Sequence, residues 1–112
     1  MKSLTVKCTY HSCETPRRNE RVKKYSFLVK LAIDEAGHVS SWEVDDLTCC
    51  FYTQLVEFST NKIEFAGSEL KGHSGTLQIY RNANKFTQRS VVNGEWLIFR
   101  GTCLEEAHFS SY

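Results

Sequence analysis

Proline occurs once in this chain of 112 residues, at Pro16, and methionine once, at Met1. No proline-rich linker, internal repeat or low-complexity tract divides the sequence, and its length suffices for one modest core, so a single domain over residues 1–112 is expected. Long apolar runs are missing too. Even Phe27 to Ile33 is broken by Lys30, well short of the 18 or so apolar residues that carry a helix across a bilayer, and no membrane span is expected. Charge of one sign is absent, because 14 basic residues face 13 acidic ones for a net +1, which exerts no global pull on nucleic acid or an anionic membrane. Disorder is excluded by 41% apolar content against only 24% charged residues. Catalytic signatures are lacking as well: there is no G-x-S-x-G elbow, no H-E-x-x-H, no phosphate-binding glycine loop and no EF-hand loop. Asp45-Asp46, near Glu43, reads as turn or cap chemistry rather than a hydrolytic pair. The chain is read as a non-enzyme, with no catalytic residue and no cofactor assigned.

What is present is alternation. Leu4, Val6, Cys8 and Tyr10 interleave with Thr5, Lys7 and Thr9, the period-two pattern of a half-buried strand with Cys8 inward. Tyr25, Phe27, Val29, Leu31 and Ile33 repeat the pattern, with Lys24, Ser26 and Lys30 on the other face. Asp34 to Gly37 supplies turn chemistry, and Val39 to Val44 returns as a hairpin arm. Asp45 to Ser59 carries two competing periods. Leu47, Cys50, Phe51, Gln54, Leu55 and Phe58 recur at helical spacing, but the β-branched and aromatic residues there favour a strand, or a short helical turn leading into one. Thr60-Asn61 closes a hairpin onto Ile63 to Phe65. Thr76 to Arg81, the Asn82-Ala83-Asn84 turn, Phe86 to Val92 and the Asn93-Gly94 turn then lead to a last strand, Glu95 to Leu104. Both faces of that strand are apolar, Leu97, Phe99 and Cys103 on one and Trp96, Ile98 and Leu104 on the other, so it is expected either to lie centrally or to be covered on both sides. The fold class is all-β, with at most one short helix near 45–58: an antiparallel meander of seven or eight strands forming a small barrel or sandwich.

Two segments, His11 to Lys24 and Gly67 to Gly75, lack either period and are read as loops that present a recognition surface. The first holds a basic cluster, Arg17, Arg18, Arg21, Lys23 and Lys24; the second holds His73. Together these are the candidate binding residues, for a partner that is a protein or a small ligand. Joined to exposed tyrosines, the 17–24 cluster would instead make a nucleic-acid module, but Tyr25 shares a face with Phe27 and Val29 and belongs to the core. The five cysteines Cys8, Cys13, Cys49, Cys50 and Cys103 support two further readings. Cys8, His11 and Cys13 offer thiolate and imidazole for a thiol or metal site, without the second matched pair of a structural zinc centre, so no metal is assigned. Alternatively Cys103 bridges to Cys8 or Cys13. Cys8 continues the inward face of Leu4 and Val6, and Cys103 that of Leu97 and Phe99, so pairing the first strand with the last would close the sheet and bring the thiols together. Such a bridge would stabilise the fold by about 4 kcal/mol through the unfolded chain.

Ile79-Tyr80-Arg81, Lys85-Phe86-Thr87 and Trp96 through Gly101-Thr102-Cys103 give the last third of the chain a likeness to known proteins: it resembles small secreted bacterial β-rich proteins of unknown function. Lys7 to Tyr10 with a near-terminal Cys103 is also similar in outline to periplasmic lysozyme inhibitors of the small β-barrel type, although their inhibitory loop, rich in Ser, Gly, Tyr and Lys, has no counterpart here. The resemblance implies an envelope-associated, secreted or periplasmic protein and transfers no activity. Met1-Lys2-Ser3 leads directly into the first strand with no apolar leader region, which the reading takes as a mature form with its leader removed, the alternative being a cytoplasmic protein.

Overall fold

The structure is a computed structural model that describes residues 2–17, 19–21, 25–45, 52–70, 73–92 and 94–109. These form β1 (Lys2–Glu14), β2 (Asn19–Arg21), β3 (Ser26–Ile33), β4 (Val39–Asp45), β5 (Gln54–Phe58), β6 (Lys62–Leu70), β7 (His73–Tyr80), β8 (Lys85–Val92) and β9 (Glu95–Phe109), with no helix among the described residues. All strands join one antiparallel sheet in the order β4-β3-β1-β9-β8-β7-β6-β5, with β2 folded back on β1. The sheet curls into a nearly closed, barrel-like shape. Trp42 of β4 reaches Phe65 of β6 across the interior, ring centroids 4.9 Å apart, although no ladder joins edge strands β4 and β5.

The inner face is the alternation made physical. Leu4, Val6, Cys8 and Tyr10 of β1, Phe27, Val29, Leu31 and Ile33 of β3, Ile63 and Phe65 of β6, Leu77 and Ile79 of β7 and Phe86 of β8 are all buried together. Tyr10 is the hub of an aromatic cluster, within 5.6 Å of the ring centroids of Tyr25, Phe27, Phe86 and Phe99. Gly101 lies opposite Tyr10 on β9, where any Cβ would run into the Thr9 carbonyl and the edge of Phe86. Glycine here lets an aromatic ring lie against the strand.

The first and last strands do pair, from Lys2↔Phe109 to Glu14↔Ile98, and Cys8 sits directly opposite Cys103. A disulfide joins those two cysteines, Cα to Cα 4.1 Å, both buried. The pairing does not remove the sheet's edges, however. β1 and β9 form the centre, and the hairpins grow outward from them, so the edges fall on β4 and β5.

Four expectations are corrected or narrowed. His11 to Glu14 is not loop: a bulge between Tyr10 and Ser12 absorbs the loss of alternation and lets β1 continue, while Asn19–Arg21 pairs back onto Ser12 to Glu14. The expected exposed loop from Gly67 to Gly75 is corrected too, because Gly67 to Leu70 belongs to β6 and His73 to Gly75 to β7, with Gly67 opposite Gly75 and Gly75 buried, while residues 71–72 lie outside the described residues. Backbone pairing holds where side-chain pattern is weak. The segment suspected of helix forms a strand from Gln54 onward, while residues 46–51 lie outside the described residues. The last strand takes the central of its two expected placements, and its outer face is open, with Trp96 41% and Leu104 72% exposed.

Candidate functional site

Two polar side chains are buried in the interior, Gln88 and Ser90 of β8. Gln88 is consumed internally. Its Oε1 accepts from the Tyr10 hydroxyl at 2.7 Å and its Nε2 donates to the Tyr52 hydroxyl. No buried side-chain nitrogen or oxygen lacks a hydrogen-bond partner among the described residues, so the interior offers no orphaned group aimed at a ligand.

The basic cluster is only partly placed. Arg17 pairs with Glu95 at 3.0 Å with its side chain 82% exposed, a contact that tethers the loop to the start of β9. Arg21 lies in β2 opposite Ser12, and His73 opens β7 opposite Leu70 and Val92. Arg18, Lys23 and Lys24 lie outside the described residues. Nor do the thiol–imidazole residues converge. Cys8 is inward and disulfide-bonded, while His11 sits on the bulge with its Nε2 3.0 Å from Thr102 Oγ1. Cys13, opposite Phe99, is not in a disulfide, and Cys49 and Cys50 lie outside the described residues. No set of three or more His, Cys, Asp or Glu side chains suited to a metal ion occurs among the described residues.

A site appears instead on the outer face of β6 to β9. Register places Ser74, Val91 and Trp96 in one row across β7, β8 and β9, and Ala66, Thr76, Arg89 and Ile98 in the next across β6 to β9. These rows line a trough of about 430 Å³. Small side chains at Ala66, Ser74 and Thr76 make its floor low, and the bulkier Val91, Trp96 and Ile98 raise a wall. Val91 is 39% and Trp96 41% exposed, so two large apolar groups lie together on a surface. Gly67 and Gly75 add bare backbone to the lining.

Along β6 the same face becomes ionic. Lys62 Nζ lies 2.9 Å from Glu64, whose carboxylate also accepts from Gln78 Nε2 at 2.9 Å, and the Tyr80 hydroxyl donates to Gln78 Oε1. The Gln78 bond and then the Lys62 ammonium hold the Glu64 carboxyl below its usual range, and the bond to Glu64 holds Lys62 above its own. This ladder is satisfied within itself and bounds the trough on its polar side.

The sequence reading took Gly67 to Gly75 as a loop that presents a recognition surface, and it did not single out Arg89, Val91 or the exposure of Trp96. The available signal was the doubly apolar last strand, which reads equally as core or as surface patch. Compared with known proteins, the chain matches no family model, no curated protein and no solved structure.

Proposed function

We propose that this protein is a non-enzymatic binding module of an oxidising, exported compartment, and that its recognition surface is the outer face of β6 to β9 around Trp96. The observation that carries this reading is the trough itself: exposed Val91 and Trp96 beside a floor of small residues. Exposed tryptophan beside arginine is the composition that binding surfaces favour. The buried Cys8–Cys103 disulfide supports the compartment, since such bridges persist where thiols are not kept reduced. The expected loop-borne surface becomes a sheet-borne one, with the β6–β7 hairpin contributing Gly67, Ser74 and Gly75.

The test is a fragment screen by nitrogen–proton correlation NMR, using apolar acids, alcohols and amines. Shift changes are expected to cluster on Ala66, Thr76, Arg89, Val91, Trp96 and Ile98. Changes confined to the other half of the sheet, over β1, β3 and β4, or no changes at millimolar fragment, would contradict the assignment.

A further inference from the structure

Four arginine side chains are described, those of Arg17, Arg81, Arg89 and Arg100, and three of them hold a carboxylate. Arg17 holds Glu95, Arg81 holds Glu105 through both guanidinium Nε and Nη2, and Arg100 holds Glu14 at 2.6 Å. Arg89 differs. It lines the trough, and its guanidinium has no ion pair or hydrogen bond among the described residues. It stands opposite Thr76 on one side and Ile98 on the other, one outward position along β8 from Val91, which faces Trp96. Successive outward residues on a strand are separated by about 7 Å, so the cation and the apolar wall are within reach of one small molecule.

Building on the reading of the trough as a recognition surface, we propose that its ligand is a small amphiphilic carboxylate. The aliphatic or aromatic body lies against Val91, Trp96 and Ile98, and the carboxylate takes the Arg89 guanidinium. The physical argument is complementarity. The planar guanidinium presents paired donors that match a carboxylate, as Arg81 already does with Glu105 in this molecule. An apolar body recovers the hydrophobic free energy that exposed Trp96 and Val91 forgo in water. Size accords with a small ligand, since the trough of about 430 Å³ lies within the ~300–1,000 Å³ of small-molecule sites.

The test is calorimetric titration with n-octanoate and n-octanol, on the full chain and on Arg89→Gln, Arg89→Lys and Trp96→Ala, each first checked for an unchanged circular dichroism spectrum. Octanoate is expected to bind at least tenfold tighter than octanol. Arg89→Gln should abolish that preference while leaving octanol affinity unchanged, Arg89→Lys should retain part of it, and Trp96→Ala should weaken both ligands. Equal binding of acid and alcohol, or a preference that survives Arg89→Gln, would overturn the carboxylate assignment and leave the trough as a binding surface. Failure of both ligands to bind at millimolar concentration would remove the surface reading and this proposal with it.

Discussion

Gly101 shows how one residue is fixed by its surroundings rather than by its own backbone angles. A methyl group there would occupy the space of the Thr9 carbonyl and the Phe86 ring, and neither can move without breaking the central β1–β9 ladder or the Tyr10 cluster. Gly101→Ala is therefore expected to destabilise by about 3 kcal/mol or more, the range of forced overpacking in a core. Gly94→Ala makes the comparison. It has open space around it but a φ of 81°, so the cost should be only about 1 kcal/mol, from the left-handed backbone alone. Chemical denaturation of the two variants measures both, and equal effects would contradict the crowding argument. Glu64 yields a pH dependence. Its folded carboxyl titrates below the ordinary glutamate range, so its contribution is complete above that range and is lost as pH falls through the lowered value. Glu64→Gln should flatten the acid limb of the stability curve slightly, because the pair lies close to solvent. An unchanged acid limb would show that the Lys62–Glu64–Gln78 ladder contributes nothing.

Among the elements, the β1–β9 pair carries the most consequence. It joins the chain's two ends, and the Cys8–Cys103 bridge across it spans a sequence separation of 95. Replacing both cysteines by Ala should lower stability by about 2–5 kcal/mol, and peptide mapping under non-reducing conditions should recover the two cysteines in one linked fragment. Recovery of both as alkylated thiols from native, unreduced protein would refute the bridge. A bridge from Cys103 to Cys8 or Cys13 was readable in the residues, because Cys8 and Cys103 each continue an inward apolar face; the register that sets Cys8 opposite Cys103 decides between the two. Strand β3 and the Asp34 to Gly37 turn were equally plain, since alternation and turn chemistry agree there, and Gly37 takes the positive φ that the turn needs. Strand ends were not. His11 to Glu14, Gly67 to Leu70 and His73 to Gly75 are strands by backbone pairing, and polar or glycine side chains leave that pairing without a periodic signal. The trough was hidden for a different reason. Trp96 and Ile98 on a doubly apolar strand suggest burial on both faces, and only the closed curl of the sheet decides that the second face looks outward. Arg89 carries no mark in sequence, because its lack of a carboxylate partner among the described residues follows from register.

At the scale of the molecule, the buried polar side chains are internally satisfied among the described residues, and the outer face of β6 to β9 is where exposed apolar groups and Arg89, unpaired among the described residues, coincide. Core side chains and Trp96 thus have separable roles, which a single substitution can distinguish. Trp96→Ala removes the wall of the trough without touching the inner cluster, so it is expected to cost no more than about 1 kcal/mol of stability, as surface changes do. The decisive measurement sets that stability, from denaturant unfolding, beside the NMR shift map of the same variant with n-octanoate. The account predicts near-parental stability with the shifts at Thr76, Arg89 and Val91 lost. A variant destabilised by more than about 2 kcal/mol that keeps those shifts would show that Trp96 is a packing residue and that recognition lies elsewhere.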